Sequence, residues 1–220
     1  MVTGDEPLRS GRPAPGQVRD ALGPLPPPLA RTLGGEVTDV RPVPNHPAGS
    51  PATVVLTTSY DTEVIVVTGS TSVGVTDQLR RLPAEHGARW VVDAVAVRPA
   101  HPQLLAQLSD HRWLVGLAGN PYADLPAAHT PLAPLLAGLT GRPLSALPRI
   151  PLTGDIAPAP GRTRLISVTW DGATASPVGG HRPAFLPGAA LAAVPPHWQP
   201  HTPVPLLLLT GEGRLTPLRR

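Results

Sequence analysis

The sequence predicts an α/β domain with a mainly parallel sheet, followed by a small all-β domain built as a barrel or sandwich. Strand, glycine-rich loop and helix follow one another twice: Val64–Val67 runs into Thr68–Gly74, and Arg112–Leu117 runs into Ala118-Gly119-Asn120-Pro121. Val64–Val67 is also a continuous run of β-branched residues rather than an alternating one, as expected of a central strand buried on both faces. After Thr140 no helical period is visible and proline punctuates the chain around Ser145–Pro151. The boundary is placed near Leu147, giving domains over residues 1–147 and 148–220.

Each element has its local reason. Leu25, Leu29 and Leu33 recur at helical spacing, Pro26–Pro28 fit only a first turn, and Gly34-Gly35 would stop the helix. A short strand is expected over Glu36–Val40. Thr53–Thr58 is β-branched and reads locally as strand. A helix carrying Leu79 and Leu82 should follow the Thr68–Gly74 loop. Trp90–Val97, Gln103–Leu108 and Arg112–Leu117 read as three further strands, and a long apolar helix should run to about Leu139. Arg164–Trp170, Ala173–Pro177, Ala192–Val194 and Val204–Leu209 are the strands expected of the second domain.

Composition excludes several function classes. The chain has 220 residues, no cysteine and no lysine, so its 18 basic residues are all arginine. Without cysteine, neither a disulfide framework nor a thiolate metal site can form. The net charge is +3, and Arg80-Arg81 and Arg219-Arg220 are the only adjacent basic pairs. A nucleic-acid binder gathers its cations into a stripe with interleaved aromatics; this pattern suits a small anionic ligand better. The longest purely apolar run near the C-terminus, Leu206–Leu209, is far too short to span a membrane, and the polar stretch Thr3–Asp20 does not read as a signal peptide. A soluble, cytoplasmic protein is expected.

Three glycine-rich elements are the candidates for chemistry: Thr3-Gly4-Asp5-Glu6, Thr68–Gly74 with Asp77 three residues on, and Gly119-Asn120-Pro121. Backbone N–H groups in such loops attract oxyanions. Ser70, Thr71 and Ser72 add hydroxyl donors, and Asp5, Glu6 and Asp77 are hard oxygen ligands suited to Mg²⁺. His46, His86, His111, His129, His181, His197 and His201 show no metal-ligand spacing and read mostly as surface residues. Trp90, Trp113 and Trp170 are expected to fill core space, and Trp198, in a proline-rich loop, to be exposed.

The order of these elements is similar to that of the MoeA and gephyrin family of molybdopterin molybdenumtransferases. Thr3-Gly4-Asp5-Glu6, Pro15-Gly16-Gln17-Val18-Arg19-Asp20 and Leu33-Gly34-Gly35-Glu36-Val37 resemble the family's TGDE, PGQI-x-D and LGAEV. Val66–Gly74 looks like ITTGGVSVG, with Asp77 at the acidic position that follows. Val97-Arg98-Pro99-Ala100-His101-Pro102 looks like MRPGKP, and Gly116–Pro121 like GLPGNP. Gly161-Arg162 to Trp170 and Pro177-Val178-Gly179-Gly180 are similar to the barrel that follows in the family.

The resemblance implies a three-layer, MogA-like molybdopterin-binding domain with a shortened first strand, then the barrel. It places a helix where Thr53–Thr58 reads as strand. It implies binding of adenylylated molybdopterin and molybdate with a divalent cation such as Mg²⁺, yielding molybdenum cofactor and AMP. By position, Glu6 and Asp77 would be the catalytic acids at the metal. Asp5, Thr68, Gly69, Ser70, Thr71, Ser72, Gly74, Arg98, His101, Gly119, Asn120 and Pro121 would bind the pterin nucleotide. A homodimer, or association with a full-length paralogue, is the implied assembly. The departures are Ser70 for glycine, Ala100 for glycine, His101 for lysine and Ala118 for proline, together with the family's two N-terminal domains, which this sequence lacks. Lysine is a fixed cation and histidine a conditional one. The alternatives are a non-catalytic pterin-nucleotide carrier or accessory protein, and a MogA-type adenylyltransferase; the second domain argues against the latter.

Overall fold

A computed structural model describes residues 2–4, 11–12, 14–15, 24, 26–43, 57–58, 61–69, 79, 87–119, 123, 126–144, 146–178 and 190–209. The fold is mixed α/β and divides into two compact units, Met1–Val95 with Ala100–Leu136, and Ala96–Pro99 with Ala137–Arg220.

The first unit holds strands β1 (Val2–Gly4), β2 (Arg41–Val43), β3 (Val64–Thr68), β4 (Arg89–Val92), β6 (Leu104–Gln107) and β7 (Trp113–Leu117), in the order β2-β1-β3-β7-β6-β4. The pairs β2-β1, β1-β3 and β3-β7 are parallel, while β6 is antiparallel to both β7 and β4. The sheet is therefore mixed rather than mainly parallel throughout. The reason is the short β6–β7 connection: a few residues can turn a hairpin but cannot make the crossover that parallel pairing needs. Leu108 N–H donates to Arg112 O at 2.8 Å, and His111 takes the left-handed conformation at φ 70 to close the turn. Arg112, 6% exposed, holds Asp110 at 2.7 Å and donates to Thr58 O at 3.0 Å.

Helix α1 (Pro26–Thr32) forms where the leucine spacing and the proline run predict it. It ends as glycine chemistry dictates. Gly34 is left-handed (φ 89) and donates to Arg31 O, while Gly35 donates to Ala30 O, both at 2.9 Å. The expected strand over Glu36–Val40 is displaced to β2. Only Arg41–Val43 faces β1, and Val43 is the residue of that stretch that enters the core. Of Thr53–Thr58, residues 53–56 lie outside the described residues, and Thr57 has helical backbone. Trp90–Val97 is two strands, β4 and then β5 (Val97–Arg98) in the second unit. A bulge between Trp90 and Val92 breaks the ladder, and Val91 is left 44% exposed.

The predicted long helix is irregular. Ala128–Leu132 is π-helical with Pro131 inside it, and α2 (Ala133–Leu139) follows. Pro131 has no N–H to offer Ala127 O, so the ladder widens, and Ala133 N–H bonds Ala128 O. Thr130 Oγ1 stands 2.9 Å from Pro126 O and 3.3 Å from Ala127 O, meeting carbonyls near the break.

Ile65 and Val67 share a core cluster with Leu79, Leu104, Ala106, Leu108 and Leu114. Alternation points Val66 and Val115 the other way, and they too are buried. The sheet is thus covered on both faces. Of the predicted helix after β3, only Leu79 is described.

In the second unit β5, β8 (Arg149–Pro151), β9 (Thr163–Trp170), β10 (Ala175–Pro177), β11 (Ala190–Val194) and β12 (Pro203–Leu208) form one sheet, ordered β10-β9-β11-β12-β8, with β5 parallel to β9. All its other ladders are antiparallel. The expected barrel is an open, curled sheet among the described residues. Its edges meet through the single bridge Leu152–Ala175, where Thr153 N–H donates to Ala175 O at 2.9 Å. β10 starts later than expected because Asp171 caps the turn before it, accepting from Ala173 N–H at 2.9 Å and Thr174 N–H at 2.7 Å.

Trp198, expected exposed, is 6% exposed within this core and donates Nε1–H to Thr202 O at 3.0 Å. Local proline content does not prevent a turn from folding its indole inward. Trp170 and Trp90 pack half-buried against their respective cores, and Trp113 is half-buried.

Candidate functional site

The sheet order fixes where a ligand can enter the first unit. β1 lies between β2 and β3, so the chain leaves β1 toward one side, then crosses back to lay β3 on the other. Such a reversal opens a crevice at the carboxyl ends of the two strands. Gly4 ends β1 there, and Thr68 ends β3 beside it. β7 joins in register, with Thr68 opposite Leu117. The three glycine-bearing strand ends thus lie side by side along one edge.

Two of the loops touch. Gly69 N–H donates to Leu117 O at 3.1 Å, and Gly69 is left-handed (φ 77), a conformation that glycine adopts without strain. A Cβ on Gly119 would stand 3.3 Å from Gly69 Cα. The absence of side chains at both positions lets the backbones approach and leaves amide groups near the crevice. Thr68 is only 4% exposed and packs into the sheet end. Asp5, Glu6, Ser70, Thr71, Ser72, Gly74, Asp77, Asn120 and Pro121 lie outside the described residues.

His101 is exposed in the first unit, in a turn entered through left-handed Ala100 (φ 71). Its carbonyl accepts from Val95 N–H at 3.1 Å and Gln103 N–H at 2.9 Å, and its Nδ1 is 2.6 Å from Val95 O. A carbonyl only accepts, so Nδ1 carries the hydrogen, and in the neutral ring Nε2 presents a lone pair. Only the imidazolium form offers an oxyanion a donor at Nε2. Arg98 is exposed in β5 of the second unit, where its register partner is Arg164. The described residues therefore bring together Gly4, Thr68, Gly69 and Gly119 along the edge of the first sheet.

Three polar residues of the first unit, Gln103, Thr130 and His129, are drawn inward by the fold. Gln103 is fully buried at the start of β6 and meets Thr130 Oγ1 at 2.6 Å. His129, read as a surface residue, is largely buried: Nε2 has no hydrogen-bond partner, and burial pushes its pKa down to about 4. A histidine inside the apolar stretch Leu125–Leu139 was the available signal. Among the described residues no cluster of three His, Asp or Glu side chains could hold a metal, and no helix is long and apolar enough to cross a membrane.

A family model described as "Probable molybdopterin binding domain" matches residues 1–138, so the chain belongs to that molybdopterin-binding family. More narrowly, it is a MoeA-like protein of molybdenum cofactor biosynthesis. A molybdopterin molybdenumtransferase of Synechococcus elongatus is 31% identical over 122 residues, 55% of this chain and 30% of that protein. One of Staphylococcus aureus is 30% identical over 171 residues, 74% of this chain and 40% of that protein. The chain thus spans less than half the length of these relatives.

In fold it is similar to the molybdopterin biosynthesis MoeA protein of Pyrococcus horikoshii, with a TM-score of 0.72 at 20% identity over 94% of this chain and 53% of that one. A molybdenum cofactor biosynthesis protein of Pyrococcus furiosus gives a TM-score of 0.64 at 14% identity, covering 93% of this chain and 65% of that one.

Proposed function

We propose that the chain binds adenylylated molybdopterin along the carboxyl edge of β1, β3 and β7 and inserts molybdate with release of AMP. The carrying observation is the contact of two glycine loops at the switch point of the sheet: Gly69 bonded to Leu117 O, with Gly119 against it. Backbone amides at such an edge suit the phosphates, and the hydroxyls of Ser70, Thr71 and Ser72 extend the donor set. Family membership and the transferase names of the relatives support the pterin nucleotide as ligand.

Mg²⁺ would be held by Glu6 and Asp77, hard oxygen donors, and would neutralise charge developing as AMP leaves. Among the described residues no group of three His, Asp or Glu side chains could hold the ion. The domain limits 1–147 and 148–220 are retained as the functional division, and assembly as a homodimer or with a full-length paralogue is part of this proposal.

A second reading, a pterin-nucleotide carrier, is favoured by His101. Its Nδ1 is engaged by Val95 O, so the imidazole has only Nε2 to offer a ligand where the family has the three donors of a lysine. A MogA-type adenylyltransferase is disfavoured by the second unit. The test is AMP release by the 220-residue chain given adenylylated molybdopterin, Mg²⁺ and molybdate, with retained pterin assayed alongside. Molybdate-dependent release that Asp77→Ala abolishes supports the transferase. Retained pterin without release moves the conclusion to the carrier, and neither removes both.

A further inference from the structure

We infer that Gln103 is a positioning residue: its hydrogen bond to Thr130 latches the His101 turn to the helical stretch that follows the Gly119-Asn120-Pro121 loop. Gln103 is fully buried, and its backbone N–H donates to the carbonyl of His101 at 2.9 Å. Its carboxamide reaches Thr130 Oγ1 at 2.6 Å, across 27 residues of sequence. Thr130 sits in the π-helical segment, whose regular ladder Pro131 has already interrupted. One short side-chain contact thus joins the turn that carries His101 to the π-helical segment Ala128–Leu132.

The proton count sharpens the contact. Thr130 has one hydroxyl hydrogen, while both the Gln103 carboxamide and Pro126 O, at 2.9 Å, stand within reach. If Pro126 O takes that hydrogen, the atom of Gln103 facing Thr130 must be the donating NH₂. The two ends of a carboxamide are interchangeable in shape, so this arrangement satisfies Thr130 as donor and acceptor together. In either orientation the other carboxamide group stays buried, as Nε2 does here without a partner. A buried amide that keeps an unsatisfied group is costly. Leucine would fill the same space in the run Gln103-Leu104-Leu105 without that cost.

The latch itself stands on this geometry; its effect on ligand binding rests on the proposed pterin-nucleotide site. The full chain is compared with Thr130→Val, which keeps the shape and removes the hydroxyl, and Thr130→Ser, which keeps the hydroxyl. The first readout needs no ligand. Exchange of the Val95 amide, which donates to His101 O, should accelerate about five- to tenfold in Thr130→Val and return near the parent rate in Thr130→Ser. Amides inside β3 and β7 should stay unchanged.

The second readout is the dissociation constant of molybdopterin, expected to rise about fivefold in Thr130→Val and to be restored by serine. Unchanged Val95 exchange, or acceleration shared equally by all amides, overturns the latch. A loosened turn with unchanged pterin affinity overturns its role at the site. A parent chain that binds no pterin removes the site reading, and the exchange result alone then decides the latch.

Discussion

In the first unit the ends of β1, β3 and β7 lie side by side and carry glycines, whereas in the second the described turns at Asp171 and Trp198 are closed by side chains. Gly69 and Gly119 approach with nothing between their backbones. Asp171, by contrast, accepts from Ala173 and Thr174, and Trp198 donates to Thr202 O. The buried polar residues show the same contrast: Thr68, Gln103 and Arg112 all belong to the first unit among the described residues. Thr68 lies at the carboxyl end of β3, whereas Arg112 precedes β7 at the opposite end of the sheet. A sheet held by an apolar core can satisfy its turns locally.

If that division is right, damage to the second core should lower stability without touching the ligand edge. Leu206→Ala, at a fully buried position in β12, should cost about 4 kcal/mol in urea unfolding. Retention of pterin by the folded protein should be unchanged, and a parallel loss of retention would break the comparison.

His129 should give the next effect. Its folded pKa of about 4 lies below the unfolded value, so the unfolded chain takes up a proton first as the pH falls. Stability should therefore decline from about pH 6.5 towards pH 4, by up to about 3 kcal/mol. His129→Leu should flatten that part of the profile, and an unchanged profile would place the pH dependence elsewhere.

Gly119→Ala sharpens the contrast at the ligand edge. Its Cβ would crowd Gly69 Cα at 3.3 Å, with an expected cost of about 1 kcal/mol in stability. Pterin retention should fall in the folded protein, unlike in Leu206→Ala. Equal retention in both variants would remove the loop contact from the site.

The smallest effect belongs to Asp171→Ala. Hydrogen bonds from the Thr174 and Ala173 backbone, and from the Thr174 hydroxyl, hold the Asp171 carboxyl below its ordinary value. A depressed carboxyl contributes stability above the unfolded pKa, and that contribution is lost as pH falls through the folded value. The variant should melt slightly lower at neutral pH and match the parent in strong acid. A constant difference across the whole range would count against the turn.

Much of this architecture was legible in the chain because its causes are local. The leucine spacing with Gly34 marked α1 and its end, and the unbroken β-branched run marked β3. The glycines at Gly69 and Gly119 marked both loops. Pro131 was equally visible, yet its effect, a widened π turn rather than a break, depended on the Thr130 hydroxyl and on packing against α1 and β7. His129 and Trp198 were misread because burial is set by what packs around a residue, not by its neighbours in sequence.

By itself, then, the sequence determined α1, the cores of β3, β7, β9 and β12, the glycines that follow β3 and β7, and the family, since backbone preference, periodicity and motif order operate within a few residues. Tertiary structure decided the rest. It set β6 antiparallel, left the second sheet open at all but one bridge, and split Trp90–Val97 between two sheets. It also brought Gly69 against Gly119 and Gln103 against Thr130. Those contacts join residues tens of positions apart, and strand pairing and register, which no local preference encodes, fix which distant groups meet.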